Sequence, residues 1–110
     1  MSTLSYTGAD LIAVERRRQL EKEGWTPEHD DEHVLSELSK AASAYLSAAT
    51  RQVCSPNTFF LWAQKPPEWP WDFRWWKPSP DPIRNLVKAG ALIAAEIDRL
   101  IRKARAEGRS

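Results

Sequence analysis

Seven of the eight prolines fall between Gln52 and Pro82, and five of the six tryptophans fall between Trp62 and Trp76. The stretch ends PPEWPWDFRWWKPSPDP. Each proline removes a backbone donor and restrains the residue before it, so no regular helix runs through this segment. An indole has a large apolar face and one N–H donor. Clustered indoles therefore either pin a small core or wall a flat-sided pocket. An irregular segment this long in a compact domain is uncommon and often functional.

The flanking sequence reads as helix. The first predicted helix covers about residues 9–23, capped by Thr7 or Gly8 and stopped by Gly24. Leu11, Ile12, Val14 and Leu20 supply its apolar area. Glu15 and Gln19 sit at helical spacing from Ile12, on the flank of that stripe, and Arg16, Arg17, Arg18 and Lys22 read as a solvated face. The second covers about residues 33–51, with Leu35, Leu38, Ala41, Ala42, Tyr45 and Ala49 as its buried stripe and Asp31 as an N-cap. The third covers about residues 82–105. Asp81 caps it and Pro82 fits its first position. Ile83, Leu86, Val87, Gly90, Ile93, Ala94, Ile97, Leu100 and Ile101 keep helical periodicity throughout. Gly90 weakens that helix by roughly 1 kcal/mol relative to alanine. In return it permits close contact, with an indole as one candidate. Phe59–Trp62 reads as a helical turn or a short strand. The expectation is one all-α domain over residues 1–110, with 52–81 irregular and 1–7 and 106–110 frayed.

Charge and cysteine content narrow the functional classes. Sixteen basic and fifteen acidic side chains leave a net charge of +1, too little to attract duplex nucleic acid. Cys54 is alone, which fits a reducing cytosol. The first ten residues lack the basic and apolar pattern of a signal peptide, and no run of ~18 apolar residues offers a membrane span. The expected location is cytoplasmic.

Three constellations bear on chemistry. His29-Asp30-Asp31-Glu32-His33 holds every ligand type a zinc or manganese site uses, but Pro27 leaves the facing of the two histidines undetermined. The same residues serve equally as helix caps or as a ligand-contacting loop, and no metal is assigned. Magnesium-dependent nucleotide hydrolysis on an all-helical fold needs acidic pairs three or four apart. Here Glu15 and Glu37 stand singly, and Glu96 and Asp98 diverge around their helix. No nucleophile motif or phosphate-cradling glycine loop is present, so no catalytic residue and no cofactor are assigned. The third constellation is the aromatic one. Trp71, Trp75 and Trp76 alternate with Arg74 and Lys77, and Arg84 and Lys88 follow on the first turns of the third helix. Indoles stack planar bases, at on the order of 1–3 kcal/mol per base, while neighbouring cations meet phosphate.

Taken with Glu15-Arg16-Arg17-Arg18-Gln19, the run from Gly24 to His33, Trp69-Pro70-Trp71, Trp75 to Pro78, and Leu86 to Arg99, the chain resembles a family of short phage and prophage proteins. The resemblance covers nearly the whole chain and implies a viral or mobile-element setting rather than an activity. Where family members tend to have glycine before the Glu-Leu of the second helix, this chain has Ser36, which bears on that helix's opening turn. A shorter likeness, through Gly24, Trp25, Asp30, Asp31 and His33, is to ryanodine-receptor repeat domains. It implies a small helical ligand-binding or docking module.

The expected function is capture of a nucleotide-like small molecule by a phage-type accessory protein, sequestering a host defence signal in the host cytoplasm. Trp71, Trp75 and Trp76 stack the base. Arg74, Lys77, Arg84 and Lys88 meet phosphate. Trp25, His29, Asp30, Asp31 and His33 complete the site. Two alternatives stand beside it: an inhibitor or adaptor of a host protein complex, and a magnesium-dependent nucleotide pyrophosphohydrolase using Glu15, Glu37 and Glu96. The alanine-rich second helix and the long third helix also suit pairing across a two-fold axis into a homodimer or higher oligomer.

Overall fold

The computed structural model describes residues 5–24, 26–32, 36–55 and 64–108, and all its regular structure is helical. Trp25, His33, Trp62 and the Phe59–Trp62 segment lie outside the described residues. Helix α1 is Gly8–Lys22, α2 is the single turn Pro27–Asp30, α3 is Glu37–Cys54 and α4 is Pro82–Ala106, with a 3-10 turn at Phe73–Trp75. Among the described residues no helix is long and apolar enough to cross a membrane.

The helix starts follow from side-chain caps. The Thr7 hydroxyl accepts from the Asp10 amide while the Asp10 carboxylate accepts from the Thr7 amide, a reciprocal capping box. Asp81 accepts from the Ile83 amide, with Pro82 as the first helical residue. Thr26 caps α2 in the same way, again followed by proline. Asp31 ends α2 instead of opening α3, because its N–H bonds back to the Pro27 carbonyl. The second long helix therefore starts at Glu37, and it continues three residues beyond the expected end, to Cys54. Its N-cap is Ser36, with φ of 67° and no side-chain cap. That left-handed conformation favours glycine.

Helix α3 packs antiparallel on α4. Ser39 meets Glu96 near one end, and Gln52 meets Asn85 near the other. Alanines make the seam: Ala41, Ala44, Ala48, Ala89 and Ala95 are buried around Leu38 and Leu92. Alanine carries no side-chain entropy to lose and lets backbones approach closely. At the far end, Asn85 joins α3, α4 and the aromatic loop. Its Nδ2 donates to Gln52 Oε1 (2.7 Å) and to the Ser79 carbonyl (2.8 Å), and its Oδ1 accepts from the Ser79 amide (2.8 Å).

Two expectations about buried faces are corrected. On α1, Val14 and Leu20 are exposed, while Glu15 and Gln19 are only 2% exposed. Arginines make that burial tolerable, and the arginine run is not simply a solvated face. Arg16 pairs with Asp30 at 2.9 Å and Arg18 with Glu15 at 2.8 Å, leaving Arg17 outermost. On α4 the large aliphatic residues Ile83, Leu86, Ile93, Ile97, Leu100 and Ile101 are exposed. The buried side is Asn85, Val87, Ala89, Ala91, Leu92, Ala95, Glu96 and Arg99. Gly90 does admit a close neighbour, but it is Ile12 of α1 and not an indole. A β-carbon at position 90 would lie 2.5 Å from Ile12 Cδ1.

Candidate functional site

The aromatic loop contributes both core and wall. Trp69 and Trp76 are buried beside Tyr45, with ring centroids 5.1 Å apart and 5.7 and 4.8 Å from the tyrosine. The Trp69 N–H donates to the Asp72 carbonyl at 3.1 Å, and the Lys77 amide donates to the Tyr45 hydroxyl at 3.3 Å. Burial pushes the Tyr45 phenol above its ordinary pKa. Trp71 stands edge-on to Trp69 at 5.3 Å and is half-buried. Trp75, on the 3-10 turn, is 55% exposed with Arg74 and Lys77 over its ring at 5.3 and 5.9 Å. These indoles divide the two roles expected of the segment: Trp76 fills, Trp71 and Trp75 line, and Trp69 does both.

Those rings border an open cavity of about 670 Å³ between α1, α2, α3, α4 and the loop. Trp69, Trp71, Trp75 and Tyr45 form its aromatic side, and Leu38 and Leu92 its base. Its other side is polar: Glu15, Arg18, Gln19, Glu23, His29 and Asp30. Lys77, Lys88 and Asp72 complete the lining.

The polar side is held by ion pairs. Glu15 receives Arg18 from its own helix and Arg84 from α4, both at 2.8 Å. Burial would raise the Glu15 carboxyl, but the hydrogen bonds from Arg18 and Arg84 outweigh it and hold its pKa below the ordinary value. Gln19 donates to Glu15 at 3.3 Å, which leaves its Oε1 buried without a hydrogen-bond partner. Asp30 is fully buried. Its Oδ2 takes Arg16, whereas its Oδ1 has no hydrogen-bond partner; His29 Nδ1 is 3.7 Å away, beyond reach. Lys88 donates to the Lys77 carbonyl at 2.7 Å and lies 5.2 Å from the Tyr45 ring centroid. Burial, then repulsion from Arg84, lowers its pKa. Ammonium desolvated in this way gains from a nearby anion.

The fold therefore gathers His29, Asp30, Trp71, Trp75, Lys77 and Lys88 around one cavity. Arg84 reaches it through Glu15. Arg74 lies on the rim over Trp75. Trp76 is in the core cluster, behind the cavity wall. Asp31 faces away and pairs with Arg102 at 2.7 Å. Trp25 and His33 lie outside the described residues. Sequence reasoning missed Glu15, Arg18, Gln19, Tyr45 and Trp69 as wall residues. The available signal was polar: Glu15 and Gln19 recur three and seven residues after Ile12, where a helix directs its core. Among the described residues no three His, Cys, Asp or Glu side chains converge on a metal position. Glu15 and Glu96 are each engaged by arginine.

Comparison of this chain with protein families, curated proteins and solved structures gives no match.

Proposed function

We infer that this protein is a binding module for a planar, nucleotide-like small molecule held in the aromatic cavity. One observation carries the reading: a cavity of about 670 Å³ lined by Trp69, Trp71 and Trp75 together with the polar side chains of Gln19, His29, Asp30, Lys77 and Lys88. A ligand edge rich in N–H donors, such as an amino-substituted purine, suits a lining that includes Glu15, Glu23 and Asp72. Its ring stacks on Trp71 or Trp75. Its phosphate meets Lys77, Lys88 and Arg18. Small-molecule sites commonly combine such apolar walls with a few fixed polar groups.

The resemblance to short phage proteins supplies the biological setting. A viral accessory protein that binds a nucleotide signal of its host removes that signal without chemistry. Thermal shift tests the reading directly, using amino-purine nucleotides, cyclic dinucleotides and, as controls, analogues lacking the exocyclic amine. A ligand at a hundred times its dissociation constant adds about 2.7 kcal/mol of stability. Trp75→Ala removes the shift and leaves the free protein's melting point nearly unchanged, because that ring is largely exposed. An unresponsive protein across the whole panel overturns the reading.

Capture of a host protein is the second reading. The exposed Phe73 and Trp75, with Arg74 between them, favour it, since tryptophan and arginine are common interface anchors. Under that reading Trp75→Ala abolishes partner binding while no nucleotide shifts the melting point.

A further inference from the structure

Helix α4 has three sides, and among the described residues two of them pack on other helices. Asn85, Leu92 and Ala95 are buried on one, and α1 packs on the next, with Ile12 meeting Gly90 at the border of the third. The third side carries Leu86, Ile93, Ile97 and Leu100, which are 44–52% exposed. Helix α3 adds Leu46 and Val53, 47% and 68% exposed.

These two rows adjoin. Ser39 of α3 donates to Glu96 of α4 across the seam between the helices. Leu46 and Val53 follow Ser39 at intervals of seven residues, and residues seven apart drift only ~20° around a helix. Ile93 and Leu100 flank Glu96 at three and four residues, on the same side of α4. Leu86, Ile93 and Leu100 are again seven apart. Both rows therefore run beside the Ser39–Glu96 contact and form one aliphatic face on two antiparallel helices. Lys88, which lines the cavity, projects from a different side of α4.

The geometry points to this face as the seam of a symmetric homodimer, in which α3 and α4 of two copies complete a four-helix bundle. The occupant is a second copy for three reasons. The rows have the seven-residue repeat through which helices interlock with a like partner. The six aliphatic residues expose on the order of 600 Å² per copy, and Ile83 and Ile101 at the margin bring the patch close to the roughly 800 Å² per partner of a standard interface. A typical monomer's largest apolar patch is about 300–600 Å². Finally, a net charge of +1 gives two copies little reason to repel each other. The alanines that suggested pairing from the sequence are consumed within the chain; the larger aliphatic residues remain for the partner. Both cavities stay open, so the dimer is independent of what the cavity binds.

Sedimentation equilibrium of the full chain reads the mass, with twice 12.6 kDa expected. Ile93→Glu on α4 and Leu46→Glu on α3 each give a monomer whose helical circular dichroism is retained, because both side chains are half exposed in the single copy. A wild-type chain that is monomeric at every concentration overturns the inference. So does a dimer that survives both substitutions. If one variant fails to fold, the other and the wild-type mass still decide.

Discussion

Helix α4 is joined to its neighbours in two different ways. Against α3 the contact is built mostly from alanine, with Leu38 and Leu92 as its largest buried side chains and the Ser39–Glu96 and Gln52–Asn85 bonds towards its ends. Against α1 and α2 it depends on charge. Arg84 reaches Glu15, Arg102 reaches Asp31, and Arg16 ties α1 to Asp30 of α2. The contrast separates two tasks. Hydrophobic burial is non-directional and supplies stability. Buried ion pairs add little net stability, since desolvation offsets their attraction. They do fix which atoms face which. Here they hold Glu15, Arg18 and Asp30 in the cavity wall.

The contrast is breakable at single residues. Asp30→Ala leaves the Arg16 guanidinium buried beside nothing and costs about 4 kcal/mol. Replacing the pair together, Arg16→Met with Asp30→Leu, recovers most of that in urea denaturation. Leu92→Ala removes packing from the alanine seam and deepens the cavity, at about 3 kcal/mol with no dependence on salt.

Acid titration distinguishes the two attachments next. The folded Glu15 carboxyl titrates below its ordinary value, so its contribution is complete above that value and is lost as pH falls through the folded one. The melting temperature therefore drops in acid. Glu15→Gln flattens part of that drop, and the Asp10 cap, shifted in the same sense, accounts for a further part.

Smaller effects test individual contacts. Gly90→Ala forces a methyl against Ile12, at about 2 kcal/mol of overpacking, and recovers about 1 kcal/mol of helix propensity. The net loss is about 1 kcal/mol. In an Ile12→Ala background the same change becomes stabilising, a reversal that a double-mutant cycle of denaturation midpoints detects. Ser36→Gly relieves a left-handed serine and gains about 0.5–1 kcal/mol, read as a higher melting temperature.

Much of the fold was legible in local chemistry. Thr7, Asp81, Pro82 and Gly24 mark helix ends because capping is decided within a few residues. The buried sides of α1 and α4 were not legible, for a physical reason. Periodicity finds an apolar stripe but not what covers it, so the aliphatic row of α4 read as core. Alanine carries little weight in such a stripe, yet Ala91 and Ala95 of α4 are fully buried. Glu15 is buried because Arg84, 69 positions along the chain, meets it. No local pattern anticipates that distance. The candidate site was half legible for the same reason: Trp71, Trp75, Lys77, Lys88, His29 and Asp30 stand out in local sequence, while Glu15, Arg18 and Gln19 reach the wall from α1.

The bonds among Gln52, Ser79 and Asn85 have a practical consequence. They fasten the polypeptide where it leaves α3 and where it re-enters α4, so the connector between is anchored at a common root. Changes in its length stop at that root. Residues inserted beside Asp72, in the described part of the connector, would reshape the cavity rim and leave the register of the two long helices untouched.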